Sequence, residues 1–600
     1  MFKRFSYLFI IAMLALATGM VYAQDAETTW IPIGGFYTTF PEFVTQTLKV
    51  AGEDRVYILV VPASFSYDSA TLTQDDLLLN TQDAEKRRRQ LEDTCREMVT
   101  DKPCEVILIP LYVRDAALSE NALGYVSEDL AGVYFLGGDQ VIAMEVLANT
   151  PLEEALGAAF KRGVPMGGNS AGLAIESRTM IAGYGSDDFG PQNSLTEGAV
   201  DVWNTDEKRG LDFGVQSVVL EQHFWERSRL PRLLNALIQE GVPPVGIGVD
   251  SLTGGLLHND TVFGEMFGLY GAAILDAATF GAADTANFDN DNKTLSVRNV
   301  LFHTMAPGDF SYNTVTREHS LAAPEVPADR TYEGLTIAKQ AGTLILGGNL
   351  FGPLVEEGDH ALLNHFKDVA DGEIVVVAAG YADEAAANAA AAPYQAALGL
   401  TSDVIIASDD YTLPDDIAGI VVIASDQSLI DADTLIPVAE IWKKGTDVLM
   451  DNAAAAVAGA FYAAEAPTPY DSEDDLLIEE ATQAAFLQGQ VEIKPGIGFI
   501  NAIVEPQVMY DNHWGRVVSV AYNHPDLLAL AITDDTALEF TQDGVKVLGK
   551  NGVFVFDLRG AKLDVGTNEG LVIANGLLDV FAADETLEAE AVTAEETKVK

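Results

Sequence analysis

Ser170 stands between two glycines, in Gly168-Asn-Ser-Ala-Gly172. The apolar run Val164-Pro-Met166 precedes it and the helix-forming run Leu173-Ala-Ile-Glu176 follows. A strand, a sharp turn and a helix around G-x-S-x-G form the setting of a nucleophile elbow, which exposes a serine hydroxyl at the turn. The glycines leave room for the chain to reverse. The helix start directs free N–H groups and a positive dipole end at the reacting centre. The same residues also suit a plain strand-to-helix turn in which Ser170 only caps the helix. Its partners bear on the choice, because a serine nucleophile needs a base nearby. His223 ends the largely apolar stretch Val218-Val-Leu-Glu-Gln-His223, and Asp250 ends Val245-Gly-Ile-Gly-Val. Arg227, Arg229 and Arg232 follow the histidine closely, in a chain with only 35 basic residues. Guanidinium forks suit carboxylate recognition, although ordinary ion pairing with abundant acids explains them too.

The elements that must carry these residues are short apolar runs at 30–33, 56–61, 106–111, 133–136 and 164–166, separated by helical stretches such as 83–98 and 141–148. Runs that are apolar throughout, rather than alternating, indicate parallel strands covered on both faces. The expected fold is a doubly wound α/β domain, whose site lies at the carboxyl ends of the strands. Gly137-Gly-Asp-Gln140 and the Ser170 turn both occupy such ends.

Tyr134-Phe-Leu-Gly-Gly-Asp-Gln140, Gly167-Gly-Asn-Ser-Ala-Gly172, Glu221-Gln-His-Phe-x-x-Arg-x-Arg-x-x-Arg232 and Gly246-Ile-Gly-Val-Asp250 occur in that order. Leu295-Ser-Val-Arg-Asn-Val300 and Ala306-Pro-Gly-Asp309 follow. Together they resemble the cyanophycinase and dipeptidase E family of serine exopeptidases, over about residues 30–317. The resemblance implies a flavodoxin-like fold related to class I glutamine amidotransferases, and hydrolysis of aspartyl or β-aspartyl-arginine peptide bonds through an acyl-enzyme. It implies Ser170 as nucleophile, His223 as base, and backbone N–H groups at Gly138 and Ala171 as the oxyanion hole. Gln140, Arg227, Arg229 and Arg232 are implied as substrate-binding groups. For the third triad member Asp250 is the candidate, with Glu176 and Glu221 as alternatives. The family often reads Asp-Glu where this chain has Asp250-Ser251, so the chain departs from the family pattern beside the third position.

The chain has 600 residues, 90 acidic against 35 basic, and a net charge of −55. Such a surface repels nucleic acid and anionic membranes. Residues 1–23 read as an export signal: a basic start at Lys3 and Arg4, a short apolar core and the small-residue site Val21-Tyr-Ala23. A secreted or periplasmic protein held by no membrane after cleavage is expected, and in that setting a structural disulfide between Cys95 and Cys104. No cofactor or metal site is read: His360 and His365 do not share a helix face, and Asp289-Asn-Asp291 lacks the rest of a calcium loop.

After a first domain at 24–320 and a linker at 321–340, the pattern begins again. Residues 342–348 echo 30–35, 374–379 echo 56–61, and 417–427 echo 130–140. In this second copy, 341–583, Ala453 takes the place of Ser170, Gln507 of His223, Asp511 of Arg227 and His513 of Arg229. The expected architecture is two tandem doubly wound domains, the second non-catalytic and of structural or adhesive value, with most catalysis retained by residues 24–327 alone. A polar tail is expected at 584–600. Two other classes compete. An α/β-hydrolase esterase would use His258, His303 or His319 as a later base, and a binding protein would use both copies without chemistry.

Overall fold

The computed structural model describes residues 26–588 apart from 66–72, 326–329, 357, 359, 409, 415 and 468–474. The expected export signal lies outside the described residues, as does most of the expected tail.

Five parallel strands make the first sheet: β1 (Thr29–Ile33), β2 (Val56–Val61), β3 (Cys104–Leu108), β4 (Leu130–Phe135) and β5 (Met166–Asn169). They lie in the order β3-β2-β4-β5-β1, and hairpins continue the sheet beyond β1. Taken from β2 onward, with β1 last, this is the 2-1-3-4-5 order of flavodoxin-like folds. Strands β2 and β4 are buried at every position, which is why their sequences do not alternate. A disulfide between Cys95 and Cys104 ties the long helix Gln74–Met98 to β3, with Cα atoms 6.0 Å apart. The second half repeats the order: Ile405–Ile406, Ile374–Ala379, Gly419–Ala424, Asp447–Asn452 and Leu344–Gly347 are neighbours in that sequence.

The two halves are not beads on a linker. A third sheet, of eleven strands, runs through both. The first half supplies Val219–Glu221, Val245–Val249, Ala272–Asp276 and Val297–Met305; the second supplies, among others, Ile503–Glu505, Leu528–Ile532, Gly552–Asp557 and Leu571–Ala582. The halves meet where Val297–Met305 pairs antiparallel with Leu571–Ala582, Leu301 opposite Leu577. Below this seam Trp225 and Phe302 pack in one core with Phe486, Trp514 and Phe556. The expected linker also packs: Arg330 and the Tyr332 hydroxyl both bond to buried Asp579. At the other end Glu585, placed in the expected tail, accepts from Ser296 Oγ at 2.8 Å and Arg298 Nη2 at 3.1 Å. No helix among the described residues is long and apolar enough to cross a membrane.

Candidate active site

Strand β5 delivers Ser170 into a backbone conformation that side chains avoid, φ 55° and ψ −121°, just before the helix Ala171–Ala174. The Ser170 N–H donates to Ile33 O at 3.0 Å and pins the turn to β1. The turn also depends on Gly172: a Cβ there would sit 2.3 Å from the Phe135 carbonyl oxygen. Gly138, at φ 134°, likewise has no space for a side chain, since its Cβ would lie 1.8 Å from Ser64 O. The first contact seats the elbow on the end of β4, and the second seats the loop after β4 on Ser64. That loop meets the elbow where the Gly137 N–H donates to Asn169 Oδ1 at 3.2 Å. Gly138 and Ala171, the expected oxyanion donors, belong to the two segments so joined.

His223 follows Val219–Glu221 and is also held at positive φ, 45°. Its Nε2 lies 3.0 Å from Ser170 Oγ, and Ser170 Oγ is also 3.2 Å from Gln222 Oε1. On the far side of the ring, Nδ1 lies 2.7 Å from Ser251 Oγ, 3.2 Å from Glu479 Oε2 and 3.2 Å from Glu226 Oε1. Ser251 Oγ is in turn 2.7 Å from Glu479 Oε2. Glu479 belongs to the helix Asp475–Ala484 of the second half. Burial works to raise its pKa, but His223, Arg227 and the Ser251 hydroxyl outweigh it and hold it at about 2. Sequence reasoning missed Ser251, Glu226 and Glu479. His223, Glu226 and Glu479 also lie close enough together to hold a cation.

The three acids expected beside His223 do other work. Asp250 accepts the N–H groups of Trp225 and Gly271, each at 3.2 Å, so it braces the loop after His223 instead of orienting the ring. Burial and nearby Glu226 push its pKa well up. Glu176 is wholly buried, and burial pushes its pKa well up too. Glu221 is committed to two arginines: its Oε1 meets Arg232 Nη2 at 2.7 Å and Arg229 Nη1 at 3.1 Å. Burial opposes its ionisation, and those guanidinium charges overcome the effect and lower its pKa.

The expected substrate-binding side chains are similarly engaged. Arg229 and Arg232 form this buried set with Glu221, and burial with the Arg232 charge lowers the pKa of Arg229 to about 10. Gln140 donates to Ala182 O at 2.8 Å and braces the strand Met180–Tyr184. Arg227 reaches Glu479 Oε1 through Nε and Nη2, at 2.9 and 2.7 Å, while its side chain stays 43% exposed. The histidines an esterase would need are occupied elsewhere: His258 with Glu265, and His303 stacked on His319.

The second half repeats these backbone conformations with other residues in place of the serine and the histidine. Asn452 repeats the Ser170 conformation, φ 55° and ψ −134°, before the helix Ala453–Val457, and Gln507 repeats that of His223 at φ 56°. The elbow position is therefore Asn452, one residue before the Ala453 expected from sequence.

No family model matches the chain. It is similar to cyanophycinases from Geminocystis herdmanii (31% identical over 32% of this chain and 65% of that one) and Trichormus variabilis (30%, over 30% and 57%). It is also similar to that of Synechococcus elongatus (31%, over 36% and 62%). The chain thus spans 57–65% of the length of these curated relatives. Among solved structures, a peptidase from an acI-B1 actinobacterium aligns with a TM-score of 0.31 at 16% identity, covering 42% of this chain and 93% of that one.

Proposed function

We propose that the chain is an exported serine peptidase of the cyanophycinase and dipeptidase E family, of cyanophycinase type, cleaving aspartyl or β-aspartyl-arginine bonds at Ser170. The partial similarity to cyanophycinases supports this reading. The observation that carries this reading is the 3.0 Å approach of His223 Nε2 to Ser170 Oγ on a strained elbow. Backbone strain of this kind persists only where surrounding structure enforces it, and it gathers at functional sites.

In the proposed reaction His223 Nε2 takes the Ser170 proton while Oγ attacks the scissile carbonyl carbon. Negative charge moves onto the carbonyl oxygen, facing N–H groups at Ala171 and Gly138. The imidazolium then gives its proton to the departing amine nitrogen, leaving an ester on Ser170. Water deprotonated by the same nitrogen hydrolyses that ester. Since Arg229 and Arg232 are consumed by Glu221, Arg227 is the arginine of the three whose exposure suits a substrate carboxylate. The repeated strand order is read here as an internal duplication.

The test is hydrolysis of insoluble cyanophycin and of paired α- and β-linked aspartyl dipeptides. Ser170→Ala and His223→Ala are each expected to lose nearly all activity while keeping the wild-type melting curve. Wild-type turnover by Ser170→Ala would end this reading.

A further inference from the structure

We propose that the carboxylate orienting His223 is supplied by the second half of the chain: Glu479, acting through the Ser251 hydroxyl. This rests on reading Ser170 and His223 as nucleophile and base. A carboxylate can only accept, so the Ser251 hydroxyl donates its proton to Glu479 Oε2 at 2.7 Å. Its lone pair then faces Nδ1 at 2.7 Å, where it accepts an N–H. The relay places the proton on Nδ1 and leaves the Nε2 lone pair free toward Ser170, as a base requires. Glu479 also lies 3.2 Å from Nδ1 directly and so faces the charge that the ring gains during reaction.

The rest of the surroundings keep that carboxylate in place. Arg227 grips its other oxygen, and its helix leads to Phe486, stacked on Trp225 with ring centroids 4.5 Å apart. Trp514 of the second half donates to Ser228 Oγ at 2.8 Å. Glu226 is the rival acid, but its Oε1 already accepts the Ser251 N–H at 2.9 Å, which makes it a brace for the relay. The second half is then a working part of the active site and not a relic beside it.

The rate of Ser170 labelling by a fluorophosphonate reads the pair without knowledge of the substrate. Glu479→Gln is expected to slow labelling by about 100- to 10,000-fold. Removing the anion should also move the acid limb of the rate–pH profile to lower pH, because the imidazolium loses its partner. A purely structural role would lower the melting temperature and leave that midpoint in place. In the double variant Glu479→Ala/Ser251→Glu, a carboxylate enters the vacated volume and should recover much of the rate. Full labelling by Glu479→Gln with an unmoved profile, or a loss reproduced only by Glu226→Gln, would overturn the inference. So would loss of labelling on chelation with recovery on adding a divalent cation. An unlabelled wild-type Ser170 would instead refute the nucleophile–base reading itself.

Discussion

Ser170 and His223 were legible because each closes an apolar strand and the pattern around each is local. Glu479 was not, since it meets His223 across 256 positions and no short motif marks it. The neighbouring polar residues misled for one reason: burial forces each to find a partner, and sequence does not say which. Glu221 illustrates the consequence. Arg232→Ala would leave this buried carboxylate with half its counter-charge, which is expected to cost about 3–5 kcal/mol by urea unfolding. A wild-type midpoint for that variant would count against the ion-pair role. A pH effect belongs to this scale as well. The folded pKa of Glu479, at about 2, lies below that of a free glutamate, near 4.3. Its contribution to stability is therefore present above the unfolded value and lost as pH falls through the folded one. The stability gap between wild type and Glu479→Gln should shrink between about pH 4.3 and pH 2. A gap that stays constant across that window would show that the carboxylate is not held in its charged form.

At the level of elements, the apolar runs announced β1 to β5. They placed β1 and β2 to within a residue, because a strand buried on both faces is apolar throughout. The ends of β3, β4 and β5 lie up to three residues from the runs. The turn between β5 and its helix was equally plain. Its glycine has a physical duty that can be checked: Gly172→Ala would drive a Cβ into the Phe135 backbone, where no side chain can swing away. Loss of Ser170 labelling together with a lower melting temperature is expected, and normal values for both would show that the elbow relaxes freely. Matching the two halves was less secure. Loop lengths differ between them, so a match by composition slipped one residue, to Ala453. The recurrence of φ 55° at both Ser170 and Asn452 fixes the correspondence.

For the whole molecule, sequence suggested two separable domains, because a hydrophobic pattern reports that a strand is buried but not what buries it. Val297–Met305 is buried at all nine positions, and one of its edges is covered by Leu571–Ala582. Cut at residue 327, the first half would present that edge as a long apolar strand with unpaired backbone groups, which invites aggregation. It would also lose Phe486 from the face of Trp225 and Glu479 from His223. Residues 24–327 alone are therefore expected to be insoluble, or soluble with Ser170 unreactive toward a fluorophosphonate. Mixing them with separately produced residues 330–600 during refolding should restore labelling, since the second half brings back both the seam and the acid. A soluble 24–327 fragment labelled at the full rate would show that the first half completes its own active site, and would defeat the composite-site account.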